Sequence, residues 1–184
     1  YKRQVYATVK ISSKNDLKSW SGTGFFMTRP YADKANVIKI VTNRHVMEHA
    51  KMADITLTRA NPDGTPNNTE HVTLHFDGVQ TFCQYHSDPA IDVCVVDIQE
   101  GLKALEAEGI TAYFKCISTN MIVTDSGLES LTPIEDVIMI GYPNAISDTT
   151  NNRPVVRSGI TATDLKLNYN GKFEFMIDMA CFPG

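Results

Sequence analysis

The sequence contains no apolar run approaching the roughly 20 residues that a membrane-spanning helix requires. It also carries no basic surplus: 17 lysines and arginines stand against 21 aspartates and glutamates, a net charge of −4. The first absence argues against a membrane span. The second argues against nucleic acid as a partner, because phosphate backbones are bound by clustered positive charge. Cysteine is sparse, at Cys83, Cys94, Cys116 and Cys181, with no two in a CxxC pair, so a structural zinc site finds no ligand pattern. Fixed-period repeats and low-complexity stretches are missing as well. The glycine-containing stretch Ser21-Gly22-Thr23-Gly24 lacks the lysine and following helix of a phosphate loop, and reads instead as a tight turn into a strand. No cofactor is expected. His71 and His75, with Thr73 between them, read as a solvated strand face, not a metal pair.

What is present fits an ordinary globular protein. The 184 residues, 42% apolar and 21% charged, suffice for one substantial domain or two small ones sharing an interface. Cys94 and Cys181 sit in apolar runs and read as small core hydrophobes. Reduced thiols point to a cytoplasmic setting. Because the first residue is Tyr1 and not Met, a periplasmic or secreted location stays open.

Strand signals recur along the chain. The spacing predicts strands over 5–11, 24–27, 37–42, 71–76, 93–98, 137–140, 155–163 and 173–177. In the fourth, Val72, Leu74 and Phe76 share one face. Turn chemistry falls at 61–64, 151–154 and 168–171. Only 101–108 reads as a helix of more than a turn, with a shorter helical stretch at 45–51. Many short strands separated by turns define an all-β chain built as a sandwich or a pair of barrels. The first unit is placed at 1–100, a less regular connection at 101–133, and the second unit at 134–184.

Three segments carry the chemistry. The first joins Ser21-Gly22-Thr23-Gly24-Phe25-Phe26 to Ile40-Val41-Thr42-Asn43-Arg44-His45-Val46. The second runs Asp88-Pro89-Ala90-Ile91-Asp92-Val93-Cys94-Val95-Val96. The third is Met176-Ile177-Asp178-Met179-Ala180-Cys181-Phe182-Pro183-Gly184. Together they resemble the trypsin-like peptidases of the bacterial high-temperature-requirement type. In those proteins a GxGF strand leads to a VTNxHV segment with the catalytic histidine. An aspartate then opens a later strand, and a PGxSG turn holds the serine. The one departure is Cys94, where the family often has alanine.

The resemblance implies a chymotrypsin-like double β-barrel, the second barrel incomplete in this chain, and a serine endopeptidase acting on polypeptide substrates. It implies His45 as general base and Asp92 as its orienting carboxylate. Asp88 competes for that second role, but Asp92 directly opens the apolar strand. Gly184 would supply an oxyanion-hole N–H, with the serine two positions beyond it. Ala180, Cys181 and Phe182 would border the substrate pocket. A neutral Ala180 at its base disfavours Lys or Arg substrates and favours small or medium apolar side chains. The chemistry suits the residue types. A serine hydroxyl needs an adjacent base, and imidazole titrates near neutrality; a carboxylate on its second nitrogen fixes the tautomer. The chain order His, Asp, nucleophile is that of chymotrypsin-like enzymes. Further domains or a second chain are expected to complete the second barrel, since an unclosed one leaves exposed edges. Two other readings remain at this stage: a chymotrypsin-like cysteine protease, and an inactive protease-like module that binds or regulates.

Overall fold

The computed structural model describes residues 4–31, 34–143, 148 and 150–181. In chain order the first elements are β1 (Thr8–Lys14), β2 (Ser19–Tyr31), β3 (Lys34–Thr42), α1 (Arg44–Met47), β4 (Met52–Ala60) and β5 (Pro66–Asp77). They are followed by β6 (Cys83–Tyr85), β7 (Cys94–Asp97), α2 (Gln99–Ala107), β8 (Ala112–Tyr113), β9 (Ile117–Ser118) and α3 (Asp125–Glu129). The last three are β10 (Asp136–Gly141), β11 (Val155–Thr161) and β12 (Ile177–Asp178). The protein is mainly β, with antiparallel sheets. Among the described residues no helix is long and apolar enough to cross a membrane.

The larger sheet has the order β5-β4-β1-β2-β3-β7-β6, with β8 added to β4 and β9 lying parallel to β2. Its two end strands, β5 and β6, are consecutive in the chain. They are joined through Gly78, in the left-handed conformation at φ 61°, and a short 3-10 turn at Val79–Phe82. Among the described residues no ladder pairs β5 with β6, so the hydrogen-bonded sheet is open there. Strand alternation sends Val9 and Ile11 of β1, Ile40 of β3, Ile55 and Leu57 of β4, and Val96 of β7 into one core. Each side chain of this size contributes about 1.5–3 kcal/mol on burial. Phe114, from the chain between β8 and β9, stacks on buried Phe26 at 4.5 Å. The stretch 101–133 thus adds two short strands and core cover to the first sheet.

The smaller sheet is β10-β11-β12, all antiparallel. It is fastened to the larger one at two places. The Thr23 hydroxyl oxygen accepts from the Tyr142 backbone N–H at 2.8 Å. The turn before β11 also docks on β4 and β5. There Asn152, at φ 48°, donates its side-chain amide to the Thr56 carbonyl at 3.1 Å. Arg153 donates to the Tyr6 hydroxyl and to Asn68, its guanidinium 4.1 Å from the centre of the Tyr6 ring.

Several expectations shift. The strand expected at 5–11 starts later: Gln4–Tyr6 is a 3-10 turn and pairing begins at Thr8. Ser21 to Gly24 forms no turn; it lies inside β2, paired with β1 at Ser12 through Val9. β4, which links β1 to β5, is not among the strands that the spacing predicts. Its inward residues include the small Ala53, which mutes the alternation. Over 173–177 only Ile177 joins a ladder, and Phe173 is 96% exposed. One bond from the Ala162 N–H to the Met176 carbonyl extends the pairing before the chains part. Cys94 is fully buried, but Cys181, past the end of β12, is exposed, with no second layer over it among the described residues.

Candidate active site

His45 owes its position to how α1 is anchored. Val46 and Met47 are buried and point into the core, leaving the preceding residue outward. Val46 packs onto β2 at Gly22, where a Cβ atom would lie 2.4 Å from Val46 Cγ2; only glycine permits that approach. The carbonyls at the end of the helix and just after it are held from two sides. Trp20 Nε1 donates to the Val46 carbonyl at 2.9 Å, and Gln80 Nε2 donates to those of Met47 and Ala50 at 2.7 and 2.9 Å.

Asp92 arrives from the other direction. β7 pairs with β3 so that Cys94 stands opposite Thr42, which brings the loop ahead of β7 alongside the first residues of α1. The Arg44 guanidinium grips the far end of that loop, donating to the His86 carbonyl at 3.0 Å.

The two side chains meet. His45 Nδ1 is 2.6 Å from Asp92 Oδ2, and the His45 backbone N–H donates to Asp92 Oδ1 at 2.9 Å. A carboxylate only accepts, so Nδ1 carries the proton, and in the neutral ring the lone pair is left on Nε2. Partial burial pushes the Asp92 carboxyl up, but the His45 backbone N–H, its imidazole and the Asn43 amide outweigh it and hold the group below the usual carboxylate range. The pair is open to solvent, with side-chain exposures of 60% for His45 and 47% for Asp92. Asp88, the competitor, accepts instead from the Ala90 backbone N–H at 2.9 Å and closes a local turn.

A cleft of about 320 Å³ lies next to the pair, between the two sheets. Asn43, Thr23, Gly141, Tyr142, Val155 and Arg157 line it, and Asn43 is the residue shared with the pair. Ala180 and Cys181 sit just past β12, both exposed. The Ala180 carbonyl accepts from the guanidinium of Arg157, which places Ala180 beside the cleft. No hydrogen bond or ion pair joins Ala180 or Cys181 to His45 or Asp92 among the described residues. Phe182 and Gly184 lie outside the described residues.

A second histidine–aspartate pair sharpens the comparison. His75 Nδ1 is 2.8 Å from Asp54 Oδ1, the two residues standing opposite each other on β5 and β4. That imidazole is 74% exposed on an open strand face. Asp54 borders an open groove of about 430 Å³, but among the described residues the pair lacks the backbone bond that ties His45 to its own carboxylate, so it reads as a surface cross-strand pair. Among the described residues no group of three His, Cys, Asp or Glu side chains is placed to hold a metal ion.

Asn43 is a site residue to which the local sequence pattern gives no role. It was visible as the third residue of VTNRHV, but its partner is remote in sequence, and only the fold brings them together. No protein-family model matches this chain, and no curated protein matches it.

Proposed function

We propose that the protein is a serine endopeptidase of the chymotrypsin-like kind, with His45 as general base and Asp92 as its orienter. The observation that carries the reading is the His45–Asp92 pair. Its imidazole is held in the one tautomer that leaves Nε2 free to accept a proton, beside a cleft large enough for a side chain. Catalysis would run through a serine that the resemblance places two positions after Gly184. Its oxygen attacks the scissile carbonyl carbon while its proton passes to His45 Nε2. Asp92 stabilises the resulting imidazolium, which returns the proton to the leaving amine; water then releases the acyl group by the same route. The Gly184 backbone N–H would help to bind the oxyanion.

The strand order supports a barrel for the first unit. If β5 and β6 count as one interrupted strand, the pairing runs β1-β2-β3-β7-β6/β5-β4 and returns to β1, with the covalent connection spanning the break. The second barrel would be completed by more strands, from further chain or from a second one. The neutral Ala180 and the cationic Arg157 beside it both disfavour Lys or Arg in the pocket. The four unpaired cysteines support a cytoplasmic setting.

The test is active-site labelling of the full-length protein with a fluorophosphonate, alongside hydrolysis of a peptide library. Labelling is expected in the wild type and lost in His45→Ala, with kcat of Asp92→Asn lower by about 10⁴-fold. A folded protein that takes no label, or labelling indifferent to His45→Ala, would overturn the proposal. A thiol-directed probe labelling in place of the fluorophosphonate would move the assignment to a cysteine nucleophile.

A further inference from the structure

The Asn43 side chain occupies a position where asparagine has a standard job. It is the N-cap of α1, in extended backbone conformation, and there an asparagine oxygen ordinarily accepts from a backbone N–H of the first turn. Asn43 makes no such bond. Its amide nitrogen turns instead to Asp92, donating to the backbone carbonyl at 3.1 Å and to Oδ2 at 3.2 Å. The capping bond is made across the fold: Asp92 Oδ1 accepts from the N–H of His45, the second residue of the helix. Two residue types with good local uses have exchanged them for a contact with each other. Departures of this kind from local preference concentrate at functional sites.

The exchange has a purpose in a site this open. A buried carboxylate is oriented by the packing around it, but Asp92 has almost half of its side chain exposed. The residues around it in the loop, 87–93, are exposed too. Hydrogen bonds alone set its direction. Two come from His45, the group to be oriented, and among the described residues the side-chain amide of Asn43 supplies the third. By gripping both the backbone carbonyl and Oδ2, this amide fixes the carboxylate's rotation relative to its own main chain. Arg44 then ties the other end of the loop at His86.

We infer that Asn43 is a positioning residue: it orients the Asp92 carboxylate so that Oδ2 faces His45 Nδ1. The inference rests on the proposed peptidase reading for its kinetic consequence, but not for its structural one. The test compares Asn43→Ala and Asn43→Asp in the full-length protein. The aspartate variant keeps the shape and removes the donor. The first readout is the proton resonance of His45 Nδ1–H, assigned by its absence in His45→Ala. It is expected to broaden or disappear in both variants, with the melting temperature of Asn43→Ala within about 3 °C of the wild type. The second readout is kinetic: kcat falls by about 10- to 100-fold with KM within twofold. An unchanged Nδ1–H resonance in both variants would overturn the inference, as would a kcat loss in Asn43→Ala that only tracks lost stability. If the protein takes no fluorophosphonate label, the peptidase reading fails, while the resonance still decides the role of Asn43.

Discussion

Replacing Gly22 by alanine tests how α1 is held. The added Cβ would lie 2.4 and 2.9 Å from the two Val46 methyl carbons and 3.3 Å from Val46 Cβ. Val46 is 1% exposed, so it has no solvent side to retreat to. Overpacking of this kind costs about 1–3 kcal/mol. Alanine recovers part of that, because glycine within a strand is itself unfavourable by roughly 0.5–1 kcal/mol. The expected net loss is about 1 kcal/mol, a fall of roughly 2–4 °C in Tm for a chain of this length. Val46→Ala alone deletes two buried methyl groups, at a cost of about 2 kcal/mol. In the double variant the new methyl enters the space that the valine vacates, so the two losses should not add. A coupling of at least about 1 kcal/mol is expected, read from urea unfolding of all four proteins. A Gly22→Ala protein with unchanged Tm, or singles that sum to the double, would refute the claim that this contact seats the helix.

Two further outcomes follow from the same geometry. The Asp92 carboxyl lies below the usual carboxylate range, so the folded state holds that proton less tightly than the unfolded chain. Its stabilisation is full above about pH 4, the unfolded value, and is lost as pH falls through the folded value. Unfolding midpoints of wild type and Asp92→Asn measured from pH 7 to pH 3 should therefore converge on acidification; a constant gap would contradict the assignment. Arg153→Ala removes two charge-assisted hydrogen bonds and a ring contact between the sheets, and should cost about 1–2 kcal/mol. Hydrogen exchange should quicken in β10 and β11 and not in β1 to β3, with Arg153→Lys intermediate because lysine lacks the planar fork.

The sequence makes the histidine segment and most strands legible because those signals are local. Val72, Leu74 and Phe76 show their shared face in five residues, and Leu74 and Phe76 are buried as that spacing implies. What failed to show depends on neighbours distant in the chain. Gly22 and Gly24 look like a turn because glycine often makes one, yet each sits in mid-strand where Val46 and Ile40 crowd the backbone. β4 hides because the inward side of its first half is only Ala53 and Ile55, and the fold fills the remainder from β1 and β5. Phe173 and Phe175 mimic strand alternation, but β11 offers pairing only as far as Ile177.

The site divides along the same line. Residue types near 45 and 92 name the candidates, while the register of β7 on β3 makes them meet. Asn43 shows how far that register reaches. A local rule assigns its side chain to the helix that it begins, and the pairing of Thr42 with Cys94 instead puts a carboxylate within its reach. The contact is therefore a property of the sheet more than of the motif. Shifting β7 by one residue along β3 would turn the strand's inward side chains outward and carry Asp92 away from both donors at once. Buried Cys94 and Val96 oppose that slip, so the core residues of β7 hold the site in alignment as surely as the hydrogen bonds at its surface.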